Sequence, residues 1–117
     1  MPLEIKPMTA LALWREVTLE SVRSDAPDLT QRQLAILLHV YLMPPPHTVR
    51  GLAQTLKVTK PAITRALDTL GRLGLLKRRR DEEDRRNVLV QRTVKGEGFL
   101  SDFGDRVAAT AQRVDTT

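Results

Sequence analysis

No cysteine occurs in the 117 residues, which excludes disulfides, thiolate metal sites and thiol-based redox sensing. Aromatic side chains make up only 3% of the chain, so any core must be built from Leu, Val, Ala and Ile. No apolar run reaches the ~20 residues that a membrane span needs. The N-terminus lacks the basic-then-apolar pattern of a secretion signal. The expectation is a soluble, cytoplasmic protein with no membrane partner. Internal repeats and low-complexity tracts are missing too. So are phosphate-loop, nucleophile-elbow and zinc spacings, so an enzyme is a poor reading and no cofactor or metal is indicated. Histidine is limited to His39 and His47. His39 falls in an apolar helical stretch and reads as a packed residue, whereas His47, in a proline loop, is expected to be exposed.

What is abundant is positive charge, and it is localised. Between Lys57 and Arg92 there are eleven Lys or Arg against five Asp or Glu, a net of +6, whereas the whole chain carries +5. The basic excess is therefore confined to one segment, the footprint expected where cations displace counterions from nucleic-acid phosphates. A merely solvated surface does not account for that confinement. The acidic run at 81–84 reads as a solvated hairpin tip beside basic residues, not as a metal site.

The segment has its own internal order. Thr48 can cap a short helix over residues 49–56, with Leu52, Ala53 and Leu56 on one side. A tight turn through Lys57 and Val58 leads to Thr59, which can cap a helix over 60–73. Pro61 lies in its first turn, where no N–H is needed. Ile63, Leu67, Leu70 and Leu73 recur at three and four residues and share one face. Thr64, Arg65 and Asp68 lie off that face. Gly74 is placed as the residue after the helix end. Short strands follow at 75–80 and 87–92, joined by a charged tip. Helix, turn, helix and hairpin is the order of a winged helix-turn-helix, in which the second helix enters the DNA major groove.

The flanks complete a mainly helical chain. Thr9 is placed to cap a helix running to about Arg23, with Leu11, Trp14, Val17, Thr18 and Val22 on one side. Thr30 and Gln33 form a capping-box pattern before an almost wholly apolar helix ending near Leu42. Three successive prolines break it. Thr93 can cap a last helix, 94–114, whose stripe of Leu100, Phe103, Val107, Ala111 and Val114 must cover the first helix or meet another subunit. At this length the expectation is one domain, 1–117, with a DNA-binding lobe at 29–93 and dimerisation helices at 9–28 and 94–114.

The stretches LTQRQLAILLHV, LAQTLKVTKPAITRALDTLGRLGLLKR and DRRNVLVQRTVKGEG, together running from about Leu29 to Leu100, resemble the MarR family of bacterial transcription regulators. The most specific part is the wing, with Asp84 and Arg86, the apolar strand Val88, Leu89 and Val90, then Thr93 and Gly96. The resemblance implies a homodimeric repressor whose first and last helices interlock and whose two recognition helices read a near-palindromic site on double-stranded DNA. It implies a wing Arg that approaches the minor groove, braced by an acid two positions earlier. It also implies a small-molecule effector, often an aromatic anion. Candidate DNA contacts are Thr59, Lys60, Ala62, Thr64 and Arg65 on the second helix, with Arg85 and Arg86 on the wing and Asp84 as the brace. The chain departs from the family pattern in a short stretch after the wing, in Arg92 where Leu is usual, and in the charge of residues 77–84. The competing reading is a winged helix used for protein contact or non-specific chromosome binding. That use more often presents an apolar outer surface on the second helix.

Overall fold

A computed structural model describes residues 3–115. The elements run α1 (Pro7–Arg23), α2 (Gln31–Leu42), α3 (Val49–Leu56), α4 (Lys60–Arg72), β1 (Leu76–Arg80), β2 (Val88–Arg92) and α5 (Val94–Asp115). They fall into two compact units. One is residues Leu29–Leu100, and the other joins the residues before Leu29 to those after Leu100.

The larger unit is built on local signals that act as the sequence suggests. Thr30 accepts from the Gln33 N–H at 3.1 Å, and the Gln33 side chain accepts from the Thr30 N–H at 2.9 Å, closing the start of α2 with a capping box. Thr48 accepts from the Gly51 N–H at 2.9 Å and starts α3. Thr59 accepts from the Ala62 N–H at 3.3 Å and starts α4, with Pro61 in the first turn. At the other end of α4, Gly74 has φ +75°, and the Leu75 N–H donates to the Leu70 carbonyl at 2.9 Å. The Gly74 N–H donates to Gly71, completing a Schellman end in which buried Leu75 folds back on buried Leu70. α3 ends differently, on Lys57 in the left-handed region at φ 57°.

Ile36, Leu37 and Val40 of α2 meet Leu52 and Ala53 of α3, Ile63, Ala66, Leu67 and Leu70 of α4, and Leu75, Leu76 and Val90 of the hairpin. Each fully buried Leu or Ile contributes about 1.5–3 kcal/mol relative to exposure, so this cluster supplies the main driving force. α2 is central but not buried all round: Ala35 and Leu42 are exposed. The strands pair antiparallel with Leu76 opposite Arg92 and Arg80 opposite Val88. The α2–α3 linker adds a bridge between Thr48 and Leu89, and the Val90 N–H donates to the His47 carbonyl at 2.8 Å.

That linker corrects one expectation. His47 is buried, at 8% exposure, with its Nε2 3.0 Å from the Met43 carbonyl and its ring edge-on to His39 at 5.3 Å. Pairing with β2 draws His47 onto the fold, while Pro44, Pro45 and Pro46 before it stay exposed.

A hydrogen-bonded knot ties α2 to the hairpin base and the start of α5. The Tyr41 hydroxyl donates to the Leu75 carbonyl at 2.8 Å and accepts from the Thr93 N–H at 2.9 Å. The Thr93 hydroxyl donates to the Gly74 carbonyl at 2.7 Å and accepts from the Gly96 N–H at 2.9 Å, so Thr93 caps α5. Gly96 is required by close approach, since a Cβ there would overlap the Tyr41 hydroxyl and the Leu75 carbonyl.

In the smaller unit α1 begins at Pro7, not after Thr9, and no side chain caps it. Proline is preorganised for a first helical position, which moves the start upstream. The Arg113 side chain of α5 lies 3.3 Å from Glu20 of α1. Val17 is buried, whereas Met8, Leu11, Trp14 and Val22 are exposed.

Candidate nucleic-acid interface

The buried stripe of α4 fixes what its opposite side presents. With Ile63, Leu67 and Leu70 in the core, Thr64 and Arg65 are exposed, as are Thr59 and Lys60 at the helix start. Ala62 stands apart from the other candidate contacts, because it is buried at 7% exposure and forms part of the α4 face toward α2. The exposed face of α4 is polar and cationic, without the apolar character that a protein-docking helix more often shows.

The wing tip is organised by its own acids. Asp81 accepts from the Glu83 N–H at 3.0 Å, and the Asp81 N–H donates to the Asn87 carbonyl at 3.1 Å. Asp84 accepts from the Arg86 backbone N–H at 3.2 Å and grips its guanidinium at two points, Nε to Oδ1 at 3.0 Å and Nη2 to Oδ2 at 3.2 Å. The Arg86 guanidinium first, then its N–H and last the Arg50 charge, hold the Asp84 carboxyl below the usual carboxylate range, against the opposing effect of desolvation. Arg80 donates to the Arg85 carbonyl at 2.8 Å, tying the strand to the tip. Arg85 and Arg86 are both exposed. Two of the four acids in the 81–84 run are thus turn-forming acceptors, and among the described residues no group of three or more His, Asp or Glu is placed to hold a metal.

Three interactions of this region join residues distant in sequence. Arg78 of β1 donates to Asp68 of α4 at 2.7 Å, linking wing and recognition helix. Arg92 donates from Nε to the Val40 carbonyl and from Nη2 to the Met43 carbonyl, both at 3.0 Å, closing the end of α2 with a cation where the helix dipole favours one. The same guanidinium lies 5.8 Å from the Tyr41 ring centre. The Arg in place of the usual Leu therefore has a structural partner set. Only its charge and its position after an apolar strand hinted at this.

A three-helix core carrying a two-stranded wing, with the second helix of a helix-turn-helix facing outward, defines a winged helix-turn-helix protein. The model of the MarR family matches residues 28–87. The transcriptional regulator BldR from Sulfolobus solfataricus is 30% identical over 84% of this chain and 70% of its own, with a TM-score of 0.62. MarR is 25% identical over 98% of this chain and 85% of its own, with a TM-score of 0.66. The chain belongs to the MarR family of transcription regulators. A Staphylococcus aureus MepR variant bound to an oligodeoxyribonucleotide shares the fold at a TM-score of 0.78 and 22% identity, over 94% of this chain and 78% of its own.

Proposed function

We propose that this protein is a sequence-specific regulator that binds double-stranded DNA as a homodimer and acts as a repressor, with its binding modulated by a small-molecule effector. The observation that carries the reading is the pairing of an exposed polar and cationic face on α4, bearing Thr59, Lys60, Thr64 and Arg65, with an exposed wing tip bearing Arg85 and Arg86. A helix of that character suits the major groove, and arginines on a neighbouring hairpin suit backbone and minor groove. In this reading Ala62 contributes through the close fit of the helix start, since its side chain is buried. The MepR relative bound to an oligodeoxyribonucleotide supports DNA as the partner. The apolar side chains left exposed on α1, Leu11, Trp14 and Val22 among them, support a second copy as the other partner. Dimerisation through residues 9–28 and 94–114 would leave the 29–93 lobe to hold DNA.

Selection of bound duplexes from a random pool, followed by affinity measurement across a salt series, tests this reading. The expected result is an enriched near-palindrome with a steep salt dependence. Salt-dependent binding without enrichment would instead identify a non-specific chromosome-binding protein. No binding at low salt would leave the winged helix as a protein-interaction module.

A further inference from the structure

The end of α2 and the linker that follows it bring the two histidines together. His39, in the last turn of α2, and His47 both line an open cleft of about 270 Å³. Their ring centres are 5.3 Å apart and their planes are inclined at 72°. Met43 lines the same cleft. It stands four residues after His39, so both project from one side of the helix end. Each ring has a defined bonding state. Nε2 of His47 lies 3.0 Å from the Met43 carbonyl. A carbonyl can only accept, so Nε2 carries the hydrogen, and in the neutral ring Nδ1 keeps a bare lone pair. The His39 ring has no hydrogen bond among the described residues, so none fixes it about χ2. No Asp, Glu, Lys or Arg lines this cleft among the described residues.

Two imidazoles and a thioether around one cleft form a donor set for a metal ion. Nitrogens bound at about 2.0–2.1 Å to one tetrahedral ion hold their ring centres roughly 5–6 Å apart. The His39–His47 separation falls in that range. A backbone carbonyl on the remote N–H of a ligating histidine, as on His47, orients the ring and fixes its tautomer. We propose that His39, His47 and Met43 bind one monovalent copper ion, Cu(I), with His47 ligating through Nδ1. The donor set selects the ion. It is uncharged, so a divalent ion would keep its full charge beside the buried His47. Hard cations require oxygen ligands. Thioether sulfur is soft and favours Cu(I). His47 is followed by Thr48, which caps α3, and its carbonyl accepts from the Val90 N–H of the wing. An ion held there sits where α2, the helix-turn-helix and the wing join. Its binding requires no DNA, so its test is separate from that of the DNA-binding reading.

The test is anaerobic transfer of Cu(I) from its bicinchoninate complex to the full chain. The wild type is expected to take up one equivalent. His39→Gln and Met43→Leu should each weaken uptake at least about tenfold, since losing even an outer-shell partner of a metal ligand costs about 10–100-fold. Neither side chain is in the buried core, so both variants should melt with the wild type in the absence of metal. Ag(I) in chloride-free buffer, a redox-inert stand-in, gives the ligand atoms by NMR. One equivalent should shift the His39 ring nitrogens, Nδ1 of His47 and the Met43 methyl group, while the Nε2 proton of His47 is retained. Uptake of Cu(I) by the wild type no tighter than by the double variant His39→Gln/Met43→Leu would overturn the proposal. So would shifts at Met8, which is exposed on α1, in place of Met43. Tighter uptake of Zn(II) than of Cu(I), undiminished in Met43→Leu, would also overturn it, because the thioether would then take no part.

Discussion

Arg78 on the first wing strand donates to Asp68 on the recognition helix at 2.7 Å, across ten residues of chain. Both ends are partly exposed, at 35% and 47%, so the pair contributes under about 1 kcal/mol to stability. Its larger effect is electrostatic. Asp68 is the one acid in α4 and stands three residues beyond Arg65, where an unpaired carboxylate would repel a phosphate backbone. Asp68→Asn is expected to leave the melting temperature nearly unchanged and to tighten binding to arbitrary DNA, with a steeper salt slope as Arg78 is released. Arg78→Ala should do the reverse. Anisotropy titrations on an unrelated duplex decide this, and weaker binding by Asp68→Asn would show that the pair positions the helix instead of neutralising it.

The knot around Tyr41 predicts a coupled pair of stability losses. Tyr41→Phe strips the Thr93 N–H of its partner and should cost about 1–3 kcal/mol. Gly96→Ala drives a methyl group into the Tyr41 hydroxyl and the Leu75 carbonyl and should cost about 1–3 kcal/mol or more. The double variant should lose less than the sum, because removing the hydroxyl relieves part of the overlap. Urea unfolding midpoints of the four proteins give the coupling. Strict additivity would place the whole conflict at the Leu75 backbone.

These two relationships also mark the boundary of what the sequence conveys. The helices from α2 to α4, their threonine caps and the Gly74 end were legible because each depends on residues within about five positions. The strands were legible to within one residue for the same reason. Tyr41 with Thr93, Arg78 with Asp68 and Arg92 with Val40 were not, because the partners meet only once the core has closed. His47 was misplaced on the same ground, since its burial follows from pairing with β2. Of the candidate contacts on α4, periodicity around Ile63 sufficed to place Thr64 and Arg65 outside. It could not show that α2 would cover Ala62.

Asp84 gives the wing tip a pH dependence of definite sign. The folded protein holds this carboxyl below its usual range through the Arg86 guanidinium first and the Arg86 N–H second. Bracing by the carboxylate is therefore fully present at and above the ordinary carboxylate range and is lost as pH falls through the lowered value. The expected signature is an Arg86 amide resonance that titrates below the usual Asp range, with no accompanying global unfolding. Asp84→Asn should abolish that titration and weaken operator binding several-fold at neutral pH by freeing Arg86. An Arg86 resonance that titrates in the ordinary range would contradict the brace.

Arg65 carries the most specific expectation. It lies two residues after Ile63, about 200° around the helix, and Ile63 is fully buried, so Arg65 points outward from the second turn of α4. It has no internal partner among the described residues. An arginine so placed in a major groove pairs best with guanine, donating to O6 and N7 together. Arg65→Ala should cost about 1–3 kcal/mol on the selected site and relax preference at one base position in each half-site. If Arg65 instead holds a phosphate, the loss should be uniform across sequences. Full-strength, fully selective binding by Arg65→Ala would take this residue out of the interface altogether.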